Sequence, residues 1–364
     1  MITVSFIIAL LLYGLLSFYA GYNGWIWLKS SFLPLHKLLY IIFISIMAAS
    51  FFIGRLFSFL PLELVGNVWF VIIGYSIILL PVSNIIVFLL KKKKRKNGIF
   101  WTGIGVLSLY FVIFVYGSFN AWSPKINTYT ITIDKKSNFD HLKILMASDL
   151  HLGPIVGKNH LQRLVDLSEE VKPDIVLLPG DIIDDDVDPY IKKNMGEVFN
   201  TMQAPLGIHA VPGNHEYYGN DLDEIILELE QDGINFLMDE ALLIEDDFYI
   251  AGRKDLTDSN RKTINEITGS LDHTKPVIML DHQPFELNAA AENKVDVLLS
   301  GHTHKGQLAP ANLVTSMIYE NDWGYLKKQN MHSFVSSGFG TWGPPFRIGS
   351  RSEVMVINIK FIGD

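Results

Sequence analysis

The sequence predicts an α-helical transmembrane bundle of four spans (residues 1–124) followed by an α/β (α+β) domain (residues 125–364). Three observations predict it. First, the 364 residues are 49% hydrophobic and only 19% charged, where an ordinary soluble domain carries about 25% charged residues, and the mean hydropathy is +0.25. Second, charge is divided unevenly. Residues 1–124 hold nine Lys/Arg against the single acid Glu63, a net +8, while the rest hold 21 bases and 37 acids, a net −16. Third, from about Thr128 unbroken apolar runs give way to short strands alternating with amphipathic helices. Such a split describes two regions in two solvents and excludes a single globular enzyme domain. It argues against nucleic acid as a partner, because phosphate backbones demand basic faces. The chain has no cysteine, which excludes disulfides, thiolate metal sites and cysteine nucleophiles.

Uncharged stretches cover residues 1–28, 38–54, 64–90 and 97–124. Three exceed the roughly 20 residues that cross a hydrocarbon core. The shorter second stretch continues past Arg55 through residues 56–62, and Arg55 can extend its head group toward the interface. A cleaved signal peptide fits residues 1–28 poorly, since they lack a basic start and outrun an apolar core of about 7–15 residues. Lys91 to Lys96 reads KKKKRK between the third and fourth stretches, and Lys29 and Lys37 flank the connection between the first two. The positive-inside rule puts both connections in the cytoplasm. The acidic domain of this multi-pass protein is then expected outside it. Trp25, Trp27, Trp101 and Trp122 lie near the span ends, as an aromatic belt requires. The same basic run suits anionic lipid. The spans are nearly free of ionisable groups, which describes an anchor rather than a transport path. Gly54, Gly74, Ser76, Gly103 and Gly105 are expected at helix contacts.

In the second region YTITI, KILMAS, DIVLLPGD, IHAVPGNHE, FYIAG, PVIMLDH, VDVLLSGHTH, SFVSSG and EVMVINIKF read as strands. Helices are expected at residues 158–171, 190–202 and 222–232. Strands and helices alternating at this spacing imply parallel connections, and the final strands an antiparallel section. About 240 residues suffice for one full core.

Nearly every apolar strand ends in residues that favour metals: Asp149 and His151, Asp181, Asn214 with His215 and Glu216, Asp281 and His282, then His302 and His304. Loops beyond the carboxyl ends of strands in α/β sheets converge on one crevice. Each cluster alone is weak: GNHE suits a turn, and His302 and His304 could be a satisfied core pair. Together they are five of eleven histidines with carboxylates beside them, a set costly to bury without a cation. Imidazole and carboxylate donors without sulfur favour Mn²⁺, Fe or Zn²⁺. The donors outnumber the needs of one ion, and two ions sharing a carboxylate suit in-line displacement at phosphorus.

The ordered blocks DLH, GDIID, GNHE, DHQP and GHTH resemble the calcineurin-like metallophosphoesterase family over roughly residues 142–360, in particular its bacterial membrane-linked branch with N-terminal spans. The resemblance implies a four-layer sandwich of two mixed sheets with helices outside. It implies two divalent metal ions (Mn, Fe or Zn, with Mn favoured). Asp149, His151, Asp181 and His304 would hold the first ion; Asp181 would bridge to the second, completed by Asn214, His282 and His302. His215 would stand beside the phosphate as acid or stabiliser, oriented by Asp184. Glu216 reads as a supporting acid or a helix start. Asp185, Asp186 and Asp188 read as a solvated acidic turn. His141, His160, His209, His273 and His332 read as structural or surface groups, and His36 falls in the expected cytoplasmic connection. Arg347, in the Gly/Pro-rich segment SGFGTWGPPFRIGSR, is a candidate for binding substrate phosphate.

The expected function is a membrane-anchored, extracytoplasmic phosphohydrolase acting on a phosphate ester, with lipid- or envelope-linked esters suited to tethering. A nucleotide phosphodiesterase, and a sensory module that binds a phosphoryl ligand without turnover, are the alternatives. The sequence indicates a bilayer and no nucleic acid as partners. It names no protein partner.

Overall fold

The computed structural model describes residues 2–31, 36–94, 97–219 and 221–363. Arg95 and Lys96 of the basic run lie outside them. The chain forms two compact units, residues 1–116 and 117–364.

The first unit is built from α1 (Ile2–Ser30), α2 (Lys37–Leu56), α3 (Leu60–Lys92) and most of α4 (Gly98–Trp122). All four helices are long and apolar enough to cross a membrane, at the places the charge-free stretches mark. With no water to satisfy side chains, such helices associate through close packing and internal hydrogen bonds. A Cβ on Gly66 would lie 2.4 Å from the Phe51 backbone, so α2 and α3 meet almost backbone to backbone. The Tyr13 hydroxyl donates to the Ala48 carbonyl at 2.7 Å, and Ser76 pairs with the Tyr110 hydroxyl at 2.8 Å. Gly54 and Gly103 sit at close contacts as expected, whereas Gly74 and Gly105 have open space where a Cβ would stand.

The second unit begins with the last turns of α4 and continues with β1 (Lys125–Ile133), β2 (His141–Met146), α5 (Lys158–Val171), β3 (Ile175–Pro179), α6 (Asp188–Lys192), α7 (Gly196–Phe199) and β4 (Ile208–Val211). Next come α8 (Asn214–Tyr218), α9 (Leu222–Gln231), β5 (Ile234–Phe236), β6 (Glu240–Ile244), β7 (Phe248–Gly252), α10 (Ile264–Thr268), β8 (Val277–Leu280) and α11 (Leu287–Glu292). After β9 (Val297–Ser300) comes a short 3₁₀ turn (His304–Gly306), then α12 (Ala311–Ile318), β10 (Gly324–Lys328), β11 (Met331–Val335) and β12 (Glu353–Phe361). The one helix expected over residues 190–202 is two short ones. Asn194 between them takes a positive φ of 49°, which no helix continues through.

The strands form two six-stranded sheets, β1-β12-β2-β3-β4-β5 and β10-β11-β9-β8-β7-β6. Both are mixed: β2, β3, β4 and β5 run parallel, as do β7, β8, β9 and β11, while β12–β2, β6–β7 and β10–β11 are antiparallel. The closing strands are thus only partly antiparallel, since β12 also runs parallel to β1.

Period-two alternation explains the layering. Ile144, Met146, Ile175 and Leu177 face the second sheet and meet Ile250, Ile278, Leu280 and Leu299. Leu145, Val176 and Leu178 point the other way onto Leu161, Leu164 and Val165 of α5 and Ile225 of α9. On the far side Val277, Met279 and Leu298 receive Ile264, Ile267 and Leu287. The result is helices, sheet, sheet, helices. Strands buried on both faces read as continuous apolar runs, which is why the central ones were visible in sequence.

Candidate metal centre

Each predicted cluster follows the carboxyl end of its strand: Asp149 and His151 after β2, Asp181 after β3, Asn214 and His215 after β4, His282 after β8, and His302 and His304 after β9. The two packed sheets bring these ends to one volume. The loops leave their strands by a costly route. Asp149, His151, Asp181, His302 and His304 all have φ between 46° and 70°. Left-handed backbone at non-glycine residues costs of order 1–3 kcal/mol each and concentrates where the surroundings demand it.

Two donor sets result. In one, the Nε2 atoms of His151 and His304 face each other at 3.0 Å, with Asp149 Oδ1 3.5 Å from His304 Nε2. In the other, Asn214 Oδ1 lies 2.8 Å from His302 Nδ1 and 3.2 Å from His282 Nε2. Asp181 stands between them, its Oδ2 3.8 Å from His151 Nε2 and 3.1 Å from His282 Nε2. Opposed imidazole nitrogens repel unless a proton or a cation lies between them. The triads Asp149/His151/His304 and Asp181/His282/His302 each gather their donor atoms within 4.8 Å, so the residues present fit divalent cations with nitrogen and oxygen donors. Burial holds His302 at about 4 and His304 well below the usual imidazole range, which leaves both rings neutral with a lone pair to offer. Burial alone would raise Asp181, but His282, His151 and His215 around it outweigh that and depress it, keeping it anionic.

Partners behind the donors fix their orientation. His282 Nδ1 donates to the Pro179 carbonyl at 2.8 Å, which turns Nε2 into the site. A Cβ on Gly180, at φ 87°, would lie 2.5 Å from that Nδ1, so the approach requires glycine. The buried Glu216 carboxylate accepts from the backbone N–H groups of Asp181, Ile182, Ile183 and Gly213 at 2.6–3.1 Å and joins the GDIID loop to the GNHE loop. That matches the supporting role expected of it.

His215 lies at the edge of the cluster, its backbone N–H donating to Asp181 Oδ1 at 2.9 Å. Its Nδ1 is 2.6 Å from Asp185 Oδ1 and 3.6 Å from Asp184 Oδ1. Asp184, the residue expected to orient it, thus lies farther from Nδ1 than Asp185 does. Asp184 also lies 3.5 Å from His151 Nδ1. Burial works against the charged ring of His215, but its hydrogen bond to the Asp185 carboxylate and the charge of Asp181 raise it to about 9.

Arg347 is not positioned to meet substrate. It is fully buried, and its guanidinium donates to the carbonyls of Gly340 and Ser337 and approaches His304 Nδ1 at 3.2 Å. The head group is consumed inside the protein, behind a candidate metal ligand. Asp281 likewise turns away from the cluster, pairing with Arg253 and Arg261. His160 and His209 are buried and donate to the Phe339 and Leu206 carbonyls, as structural histidines do. Asp185 read as part of a solvated acidic turn and is instead paired with His215, and Glu353 carried no expectation. Glu353 is buried and its Oε1 accepts from the Ser337 N–H at 2.7 Å and from Trp323 Nε1 at 2.7 Å, bracing the segment that carries Arg347. A buried acid opening a strand was its only signal.

A model of the family described as calcineurin-like phosphoesterase matches residues 142–306. An uncharacterized metallophosphoesterase of Aquifex aeolicus is 33% identical over 261 residues, covering 68% of this chain and 97% of that protein. A transmembrane protein with metallophosphoesterase domain from Danio rerio is 31% identical over 281 residues, 72% of this chain and 64% of its own length. A Bacillus subtilis metallophosphoesterase is 30% identical over 274 residues, covering 68% and 94% of the two chains.

Proposed function

The chain belongs to the calcineurin-like phosphoesterase family, and from that premise we propose that it is a membrane-anchored, two-metal phosphohydrolase whose catalytic domain lies outside the cytoplasm. The observation that carries the reading is the meeting of two donor sets at Asp181. Asp149, His151, Asp181 and His304 would hold one divalent cation, and Asp181, Asn214, His282 and His302 the other. Mn²⁺ is favoured over Fe or Zn²⁺. The metal pair supplies polarisation of a phosphoryl oxygen and a water acidic enough to act near neutral pH.

The chain's own residues do the rest. Asn214, neutral among carboxylates, keeps the centre's negative charge low enough for an anionic ester to approach. His215, protonated and held through Nδ1 by Asp185, presents Nε2 as a proton donor. The water gives one proton to solvent as its oxygen bonds to phosphorus, the ester P–O bond breaks, and the leaving oxygen takes the proton of His215, which regains one from solvent before the next turnover. The run at Lys91–Lys94, with Arg95 and Lys96, supports a cytoplasmic α3–α4 connection and hence the outward domain.

The test is turnover by purified full-length protein with Mn²⁺ on bis-p-nitrophenyl phosphate and p-nitrophenyl phosphate, beside Asp181→Asn. Hydrolysis of at least one ester that disappears in the variant is expected. Equal turnover in the variant contradicts the mechanism, and metal uptake without turnover of either ester favours a phosphoryl-binding module.

A further inference from the structure

One helix of the second unit is apolar in sequence yet covers no part of the core. α12 reads ANLVTSMI, contains no charged residue and has no buried one. Leu313 is 58% exposed, Val314 56%, Ile318 56% and Met317 86%. Four large apolar side chains presented together on one short helix form the kind of patch that marks a membrane or partner contact.

α12 is held at both ends. Its start is linked to the last turns of α4 through Ile348 and Arg347. Ala309 N–H donates to the Ile348 carbonyl at 2.7 Å, and Ile348 N–H to the Gln307 carbonyl at 2.8 Å. The neighbouring Arg347 N–H donates to the Gly117 carbonyl at 2.9 Å, and Asn120 Nδ2 donates to the Arg347 carbonyl at 3.1 Å. α12 is therefore rooted on the segment that grips the end of a membrane-length helix. Its body packs on the 3₁₀ turn holding His304: a Cβ on Gly306 would lie 2.3 Å from Asn312 N. At its end, the Tyr319 ring lies 6.1 Å from that of His302 and 4.7 Å from that of the exposed Phe285. Across the centre, the exposed Trp342 ring lies 6.1 Å from that of His215.

An uncharged apolar helix thus stands between the segment bound to the last turns of α4 and the rim of the metal centre, in a domain whose net charge is −16. We propose that α12 is an interfacial helix lying in the bilayer surface, and that the substrate is a phosphate ester carried by a membrane lipid. The substrate class rests on the phosphohydrolase reading above. The position of α12 does not. The link through residues 347 and 348 to the last turns of α4, a helix long and apolar enough to cross a membrane, favours the bilayer over a protein partner. Apolar side chains on such a helix sink to the boundary between head groups and acyl chains, which would bring the phosphate plane of the bilayer level with the site.

Because the chain has no cysteine, Met317→Cys gives a single thiol for an environment-sensitive fluorophore. In full-length protein reconstituted into phosphatidylcholine vesicles, its emission should be blue-shifted and quenched by spin-labelled lipids. The same label at Leu227→Cys, on α9 beside the opposite sheet edge at β5, should instead be quenched by aqueous iodide. A label at 317 that behaves like the one at 227 overturns the interfacial helix. Separately, the four-fold variant L313Q/V314Q/M317Q/I318Q should keep turnover of bis-p-nitrophenyl phosphate within about twofold, while kcat/KM on phosphatidic acid or phosphatidylglycerol in vesicles falls by about tenfold or more. Undiminished lipid hydrolysis, or equal losses on soluble and lipid esters, overturns the substrate class. Wild-type protein that hydrolyses no ester at all refutes the phosphohydrolase reading and the substrate class with it, while the fluorescence still decides where α12 lies.

Discussion

His304 shows how much of this centre depends on single residues outside the obvious motifs. Its Nδ1 faces a buried guanidinium that also donates to the Gly340 and Ser337 carbonyls and the Ser350 hydroxyl. Arg347→Met should lower Mn²⁺ affinity by about 10–100-fold, the usual loss when a partner behind a metal ligand is removed. Metal titration checks this, with the melting temperature measured alongside, and Arg347→Lys should not restore affinity because a lysine cannot span the same fork. His215→Ala should lower kcat by about 10²–10⁴ with metal content unchanged, as expected of a proton donor. A third prediction concerns pH. Burial depresses His160 to about 4, and its ring donates to the Phe339 carbonyl. Between its ordinary value near 6.5 and about 4 the unfolded chain binds a proton that the folded chain does not. Stability should therefore be flat above that window and fall as pH drops through it, by up to about 3 kcal/mol. Denaturant unfolding at pH 7 and pH 4.5 should show a smaller difference in His160→Gln than in the natural protein. At this scale the candidate ligands were legible as a group, because each sits just past an apolar strand. That Asp185 comes nearer to His215 than Asp184 was not. It depends on a positive φ at Asp185 within an acidic turn, and no composition signals which carboxylate the turn delivers.

Among elements, the loops after β3 and β4 behave as one piece because a single carboxylate holds them. Glu216→Gln should break that join, since an amide presents N–H groups to N–H groups. A loss of about 1.5–3 kcal/mol follows for each charged hydrogen bond that is not replaced, and thermal unfolding measures it. The buried central strands and α5 could be read directly from the sequence, since a strand covered on both faces is an unbroken apolar run and α5 has a clean amphipathic period. The edge strands β5, β6 and β10 escaped notice because they are short and only partly apolar. α12 escaped for the opposite reason: nothing in eight uncharged residues says that an apolar helix will stand outside the core.

The whole molecule joins an apolar, basic unit to an acidic one, and that asymmetry sets the expected topology. With no native cysteine, Lys93→Cys and Leu227→Cys report on the two sides of the membrane. A thiol reagent that cannot cross bilayers should label position 227 in intact cells and position 93 only after permeabilisation, and the reverse pattern contradicts an outward catalytic domain. The centre itself makes the more basic demand, because its donors exceed what one ion uses and Asp181 stands between the two groups. The most direct measurement is the number of Mn²⁺ ions bound per chain by full-length protein, compared with Asp181→Asn. Two ions per chain, with both sites weakened by the one substitution, is the predicted result. A single ion, none, or two sites indifferent to Asp181 would contradict a centre built on a shared carboxylate.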